Sequence, residues 1–218
     1  MMKRFQLVLK NSILLIFIFL SISLCYSNNI INNNLVESTG PIVIKDSKIV
    51  VTGDSFAGKF YDFEKDKELQ LVPFARAGRT IDDNKAIMAE ALNHNEKNVL
   101  VSIGVNDQFM ETPPYRFEFV LRSLLNISLI TNKNVYFHSY LKYFSNLYYD
   151  KRFSSSQYDE IIKQLCSEYP NAYYIDVKDL ETPYYISEDN IHYNLMFYDE
   201  LYKRLLYTIF SVEKTQNG

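Results

Sequence analysis

From Pro41 onward, short runs of apolar, β-branched residues alternate with longer stretches in which apolar residues recur every three or four positions. The short runs are typical of strands, and the longer stretches are typical of amphipathic helices. Strands that alternate with helices form a parallel sheet with helices on its faces. The pattern therefore predicts one three-layer α/β/α domain over residues 41–218, with a parallel sheet of about five strands.

The predicted strands are almost continuously apolar, so we expect both faces of the sheet to be buried. Pro73 lies in the second strand, and proline is confined to edge strands, so we expect that strand at an edge. Thr80 and Asp83 form a capping box that begins a helix over 81–93. The other predicted segments are strands at Lys48–Thr52, Leu69–Phe74, Asn98–Ile103, Asn134–His138 and Ala172–Val177, and helices at Tyr115–Ile130, Ser155–Glu168 and Leu195–Ser211.

The N-terminal 40 residues have a different pattern. Residues 1–11 carry three cations and no acid, and residues 12–25 form an uncharged apolar run of signal-peptide length that is short for a membrane span. We expect residues 1–27 to be a cleaved signal peptide, ahead of an uncleaved anchor and of a lipoprotein acylated at Cys25. Each alternative places the domain outside the cytoplasm, attached to a membrane only through this segment. The polar residues 28–40 are predicted to be a tether.

Composition and charge exclude several classes of protein. The 218 residues are 47% hydrophobic and 22% charged, which is typical of a globular protein. The formal net charge of -3 lacks the basic excess that phosphate backbones select, so we expect no nucleic-acid partner. The two cysteines have no paired C-x-x-C spacing, and we expect neither a metal nor a cofactor.

Ligands of an open parallel sheet bind at the carboxyl ends of its strands. Ser55 follows the first predicted strand and precedes a short helix, where its hydroxyl can act as an exposed nucleophile. Gly78 and Asn106 follow the second and third strands, and an N–H and an amide donor there can form an oxyanion hole. Asp189 precedes His192 by three residues, close enough to orient an imidazole that accepts the serine proton.

These segments, in this order, resemble the motif blocks of the SGNH hydrolases, also called GDSL-like lipases or esterases. Gly53-Asp54-Ser55 matches the first block, Gly78 the glycine block, Gly104–Asp107 the G-x-N-D block and Asp189–His192 the D-x-x-H block. Each motif alone is weak, but their order, spacing and strand context together are specific. The resemblance spans residue 48 to about residue 210. One departure is Phe56, where many members carry leucine.

The resemblance implies the flavodoxin-like SGNH hydrolase fold and assigns roles to these residues. Ser55 would be the nucleophile, His192 the base and then the acid, and Asp189 the partner of the histidine. The N–H groups of Ser55 and Gly78 and the side chain of Asn106 would form the oxyanion hole. These roles agree with those inferred from the residues alone.

Structural roles remain open for several of these residues. Asn106 and Asp107 can cap a following helix, but we favour the oxyanion role for Asn106 and a structural role for Asp107. Asp54 is also expected to be structural. His94 and His138 have no partnered spacing, so structural roles are expected for both.

The segment after the fourth predicted strand is rich in tyrosine. Tyr140 and Tyr143 lie there, near the same rim of the sheet, where aromatic rings can hold a sugar or an acyl group. An ordinary packed loop is an equal alternative for these two residues.

These features predict an exported serine esterase that forms an acyl-Ser55 intermediate. We expect its substrate to be an acylated small molecule or a carbohydrate, with acetyl esters of cell-surface or extracellular carbohydrate first. One alternative is an O-acetyltransferase that uses the same triad on a cell-wall or surface polysaccharide. Others are a lysophospholipase or thioesterase and a non-catalytic glycan-binding domain.

Overall fold

The structure is a computed structural model, and it describes residues 48–65, 70–140, 151–189 and 191–217. The predicted leader (1–27), the tether (28–40) and Tyr143 lie outside these ranges. Within them, five strands form one parallel sheet: β1 Ile49–Gly53, β2 Leu71–Ala75, β3 Asn98–Ser102, β4 Asn134–His138 and β5 Ala172–Ile175. Their order in the sheet is β2-β1-β3-β4-β5.

The helices of the described residues connect these strands and flank the sheet. They are α1 Ser55–Glu64, α2 Ile81–Leu92, α3 Val105–Phe109, α4 Pro114–Ile130, α5 Ser155–Glu168 and α6 Leu195–Asn217, with short 3₁₀ turns at Lys178–Leu180 and Pro183–Tyr185. None of them is long and apolar enough to cross a membrane.

The predicted elements are confirmed, with shifted ends. The α5 and β4 segments match their predictions, whereas the last helix runs six residues beyond the predicted Ser211. The capping box at Thr80 and Asp83 is present. A difference concerns α3, because Asn106 and Asp107 lie inside this short helix and neither is its N-cap.

The sheet is buried between two layers of helices. Every residue of β1 and β3 is buried, as their apolar sequences predict. Strand β2 is more exposed, and its Pro73 pairs with Val51 at the edge of the sheet, which confirms the edge prediction. Helices α1 and α6 pack on one face through residues such as Phe60 and Leu201, and α2, α4 and α5 pack on the other through residues such as Met88 and Leu121.

The strand order places a crevice at the carboxyl ends of β1 and β3. The chain leaves β1 toward one face and β3 toward the other, and ligands of doubly wound sheets bind where the order reverses in this way. Gly53 ends β1 with φ +132°, and a Cβ there would lie 1.8 Å from the carbonyl oxygen of Ser102. Glycine thus lets the two strand ends meet, and the N–H of Asp54 donates to that oxygen at 3.0 Å.

Candidate active site

Ser55 lies at the first position of α1, directly after β1. Asp54 is the N-cap of this helix, and its Oδ1 accepts a hydrogen bond from the N–H of Phe56 at 2.9 Å. Asp54 is fully buried, whereas Ser55 is partly exposed. The cap therefore anchors the turn beneath the serine and leaves the hydroxyl at the mouth of the crevice.

His192 bridges Ser55 and Asp189. Its Nε2 lies 2.9 Å from Ser55 Oγ, and its Nδ1 lies 2.7 Å from Asp189 Oδ2. Because a carboxylate only accepts, Nδ1 carries the hydrogen and Nε2 is left to accept from the serine hydroxyl. Phe56 packs against the imidazole with ring centroids 5.1 Å apart, which limits how the histidine can turn.

Asp189 lies in a loop whose two sides are joined by backbone contacts. Ile186 and Tyr193 form an isolated antiparallel bridge, and the N–H of Ser187 donates to the carbonyl of His192 at 2.9 Å. Asp189 Oδ1 accepts from Ser187 Oγ at 2.6 Å and from the backbone N–H groups of Ile191 at 2.9 Å and His192 at 2.8 Å. One carboxylate oxygen is therefore occupied by the loop while the other faces the imidazole.

The charge of Asp189 is held by these contacts. Partial burial acts to raise the pKa of its carboxyl, but the hydrogen bonds from Ser187, His192 and Ile191 outweigh that effect and hold the pKa well below its usual range. The carboxylate is therefore ionised whenever the protein is folded near neutral pH. An ionised partner at Nδ1 is what an imidazole needs in order to take up a proton at Nε2.

The three candidate oxyanion donors follow the carboxyl ends of three neighbouring strands, β1, β2 and β3. Gly78 follows β2, and Asn106 lies in α3 after β3, so the two flank Ser55 from neighbouring strands on either side. Within the described residues, the N–H groups of Ser55 and Gly78 have no hydrogen-bond acceptor. Asn106 Nδ2 is buried and also has no partner there. Donors without partners at one edge of the sheet are suited to receive a negatively charged oxygen.

The side chain of Tyr140 is buried in the interior. It is only 4% exposed, its ring stacks on Tyr158, and its hydroxyl donates to Gln108 at 2.9 Å. Tyr140 is thus packed in the interior, where it also lines a small cavity with Phe56 and Tyr193. Its contact with substrate stays a prediction. The side chain turns toward α5 because α5 and the loop before α3 enclose it, with Gly104 leaving room for the ring.

A small cavity lies near the carboxyl ends of β3 and β4. It measures about 10 Å³, which is room for about one water molecule. Three of its lining residues, Phe56, Val105 and Tyr193, are the sequence neighbours of Ser55, Asn106 and His192, respectively. The other lining residues are Val101, Ser102, Ile103, His138, Tyr140 and Ile162. The interior next to the candidate site is thus almost filled by side chains.

Some contacts around the site were not predicted from the sequence. Ser187 reaches Asp189 over two residues, a local spacing that could have been noticed, whereas Asp107 accepts from Ile81 and Ser102 bonds His138 across the fold. Among the residues that the structure describes, no group of three or more histidine, cysteine or acidic side chains could hold a metal ion.

Solved structures with similar folds include several ester hydrolases. The lipase/acylhydrolase from Enterococcus faecalis is 16% identical, with 75% of this chain and 95% of that chain covered and a TM-score of 0.60. The acetylxylan esterase Axe2 from Geobacillus stearothermophilus is 16% identical, with 76% and 94% covered and a TM-score of 0.58. The esterase EstA from Pseudoalteromonas sp. is 18% identical, with 79% and 100% covered and a TM-score of 0.54.

At these identities, the structural matches show the fold alone. A comparison with curated proteins finds no match. The family is shown by the sequence itself, because residues 52–199, more than half of the chain, match the model of the GDSL-like lipase/acylhydrolase family. The chain belongs to the GDSL-like lipase/acylhydrolase family and is a serine ester hydrolase.

Proposed function

We propose that the protein hydrolyses short acyl esters, acetyl esters first, through an acyl intermediate on Ser55. The observation that carries this proposal is the hydrogen-bonded line from Ser55 Oγ through His192 to Asp189, with distances of 2.9 Å and 2.7 Å. Both distances are within the range in which a base takes a proton from a nucleophile and is itself oriented by a carboxylate.

In the first half of the reaction, Ser55 Oγ attacks the carbonyl carbon of the ester as its proton passes to His192 Nε2. The carbonyl oxygen becomes negatively charged and takes hydrogen bonds from Ser55 N–H, Gly78 N–H and Asn106 Nδ2. Asp189 stabilises the imidazolium without itself taking the proton. The tetrahedral intermediate then collapses, His192 protonates the departing alcohol oxygen, and the acyl group stays on Ser55.

In the second half, water replaces the alcohol. His192 takes a proton from the water as the water oxygen attacks the acyl carbon, and the same three donors again hold the charged oxygen. Collapse breaks the bond to Ser55 Oγ, which recovers its proton from His192. The products are the free alcohol and the carboxylic acid, and the enzyme returns to its starting state.

The preference for a short acyl group is supported by the packing below Ser55. Phe56 and Tyr193, the neighbours of Ser55 and His192, are only 3% and 2% exposed, and the cavity that both line measures about 10 Å³. Phe56 packs edge-on against Tyr193, and both belong to the core of the α1 and α6 face. A long acyl chain could enter this core only by displacing packed side chains, whereas a short acyl group does not need to enter it.

A carbohydrate ester outside the cytoplasm is the substrate class that we propose. Two features support it: the signal-peptide pattern of residues 1–27 and the fold shared with an acetylxylan esterase. Neither feature depends on the chemistry at Ser55, so the substrate class and the mechanism can be tested separately.

The test is hydrolysis of p-nitrophenyl acetate, butyrate and octanoate by the purified protein and by two variants, Ser55→Ala and Ser102→Ala. Ser102 supplies the matched control because it also lies beside a histidine at a strand end. The proposal predicts acetate as the best ester and loss of turnover in Ser55→Ala alone. A preference for octanoate would contradict the short-chain proposal, and equal turnover by Ser55→Ala would contradict the acyl-serine mechanism.

Natural substrates separate the remaining alternatives. With acetylated xylo-oligosaccharide, the proposal predicts release of free acetate that depends on Ser55. Transfer of the acetyl group to an added oligosaccharide, with little free acetate, would instead identify a transferase. Glycan binding that is unchanged in Ser55→Ala, with no acetate released, would identify a binding domain.

A further inference from the structure

Two buried aspartates adjoin the candidate oxyanion donors. Asp54 directly precedes Ser55, and Asp107 directly follows Asn106. Both side chains are fully buried, and no lysine or arginine within the described ranges forms an ion pair with either one. Burial raises the pKa of each carboxyl to about 7, and the charge of Asp107 adds to the effect on Asp54. Burying a carboxyl group without a cation costs free energy of folding. The contacts of these two carboxyl groups therefore indicate what role each one has.

The carboxyl of Asp107 forms a hydrogen bond with the Thr112 side chain, and both of its oxygens also accept from one backbone group. Oδ1 and Oδ2 lie 3.1 Å and 3.0 Å from the N–H of Ile81, the first residue of α2. The ordinary cap of that helix does not serve this group, because Thr80 Oγ1 accepts from the N–H of Asp83 instead. The carboxyl of Asp107 therefore supplies the acceptor that the start of α2 lacks.

The same contact joins two parts of the candidate oxyanion hole. Gly78 lies in the turn just ahead of α2, three residues before Ile81. Asn106 lies in α3, next to Asp107. The hydrogen bond from Ile81 thus links the turn that carries one donor to the helix that carries the other.

Asp107 is itself held firmly by its main chain. Its carbonyl accepts from the N–H of Thr112 at 2.8 Å and from the hydroxyl of Tyr158 at 3.3 Å. Tyr158 belongs to α5 and is fully buried. Helix α3 is only five residues long, so these contacts fix its position. The hydrogen bond from Ile81 to the Asp107 side chain then holds the turn of Gly78 in a fixed position relative to α3.

We propose that Asp107 is a positioning residue that holds the Gly78 N–H and the Asn106 amide in one arrangement, so that both point at the same oxygen. The inference rests on the proposed function, because it concerns the same oxyanion site. Misplacing a donor by about 1 Å can cost a large part of its effect on the transition state. A purely structural cap would affect the stability of α2 but leave turnover by the folded protein unchanged.

The first test compares Asp107→Ala with Asp107→Asn. Alanine removes the acceptor, so kcat for p-nitrophenyl acetate is expected to fall roughly 10-fold to 100-fold while KM stays within about twofold. Asparagine keeps one carbonyl oxygen for the N–H of Ile81, so its kcat is expected within about fivefold of wild type. Equal losses in the two variants would overturn the proposed link to Ile81.

The second test removes the donor instead of the acceptor. Ile81→Pro deletes the N–H at the first helical position, where proline is tolerated, and Thr80 already has the extended backbone that a following proline requires. If Asp107 acts through this N–H, Ile81→Pro lowers kcat. The double variant then has a kcat only slightly lower than that of Asp107→Ala. Losses that multiply in the double variant would overturn the proposal.

A control variant separates positioning from stability. Asn98→Ala removes a buried side chain at the opposite end of β3, where Asn98 Oδ1 accepts from the hydroxyl of Tyr136. It is expected to lower the free energy of unfolding without changing kcat. If Asp107→Ala does not fold, Asp107→Asn and Ile81→Pro still decide the question.

The outcome for Ser55→Ala distinguishes the two proposals. Full turnover by Ser55→Ala would overturn the acyl-serine mechanism, and the role of Asp107 with it. Turnover that depends on Ser55 but keeps the wild-type kcat in folded Asp107→Ala would overturn only the positioning role.

Discussion

Two serine–histidine pairs lie at the carboxyl edge of the same sheet. In one, Ser55 Oγ lies 2.9 Å from His192 Nε2, and in the other, Ser102 Oγ lies 2.8 Å from His138 Nε2. Ser102 ends β3 and His138 ends β4, the next two strands after β1 in the sheet, and Ser55 directly follows β1. By distance alone, the two pairs are equivalent.

The group behind each histidine differs. Asp189, an ionised carboxylate, faces Nδ1 of His192, whereas the backbone carbonyl of Ser139 faces Nδ1 of His138 at 2.9 Å. Either acceptor can fix the tautomer, but only a carboxylate balances the charge of an imidazolium. Burial also lowers the pKa of His138, which disfavours the protonated form that a general base must reach.

The surroundings of the serines differ as well. Ser102 is 5% exposed, and its carbonyl is occupied by the N–H of Asp54. Ser55 lies at the start of α1, with its own N–H lacking an acceptor among the described residues. The comparison shows that a short distance between hydroxyl and imidazole is not sufficient to make a serine a nucleophile. A carboxylate behind the histidine, an accessible serine and free donors for the oxyanion are also needed.

The largest expected effect separates the two serines. Ser55→Ala should lower kcat for acetate esters by roughly 10⁵-fold or more, because it removes the nucleophile. Ser102→Ala should keep kcat within about threefold, because its hydroxyl bonds a partly buried histidine that has no carboxylate partner among the described residues. Circular dichroism would show that both variants are folded. A large loss of kcat in folded Ser102→Ala would show that the second pair also takes part in catalysis and would contradict the distinction between the two pairs.

The next effect comes from making the first pair resemble the second. Asp189→Asn leaves His192 with a neutral partner, so kcat should fall roughly 10³-fold to 10⁴-fold with the fold intact. Steady-state kinetics on short-chain esters measures this directly. Turnover within tenfold of wild type would remove Asp189 from the mechanism and leave the two pairs without their main distinction.

Asn106→Ala tests the free donors around Ser55. Its Nδ2 has no partner within the described part of the chain, so its loss should not leave a broken hydrogen bond in the resting enzyme. The expected fall in kcat is roughly 100-fold to 1,000-fold if the amide binds the oxyanion. A fall below tenfold, measured beside wild type, would indicate that Asn106 is structural.

The smallest effect is expected from His138, and it concerns stability. Its pKa in the folded protein lies below the ordinary value of 6.5, because burial outweighs the favourable influence of Ser139 and Asp159 on the charged form. The unfolded chain therefore binds more protons at this residue as the pH falls through that value, and acid weakens the fold.

Urea unfolding at several pH values measures this contribution. Between about pH 7.5 and 5.5, wild type should lose more of its free energy of unfolding than His138→Gln, which has no titrating group there. The kcat of His138→Gln should stay near that of wild type. An identical pH dependence in the two proteins would show that His138 is protonated as easily as in water.

Much of the fold could be predicted because it depends on short-range patterns. Apolar runs marked the strands, and Thr80 and Asp83 marked a helix start. Pro73 marked the edge strand. Ser55 and the Asp189–His192 segment could be found because their order and strand context are written along the chain.

The remaining contacts depend on which way a side chain turns after the chain has folded. Tyr140 follows β4 near the rim, yet its ring points inward onto Tyr158, and position along the chain does not decide between the two directions. Asp107 and Ile81 are 26 residues apart, and only the folded chain brings the two residues together. No spacing of residues along the chain predicts such a contact.

The most direct test of the proposed mechanism is covalent labelling with an activated short alkylphosphonate ester, followed by peptide mass spectrometry. The reagent reacts with an activated serine and stays bound to it. The mechanism predicts one phosphonate on the peptide that contains Ser55 and none on that peptide in Ser55→Ala. A label on the peptide that contains Ser102, or no label on the folded wild-type protein, would contradict it.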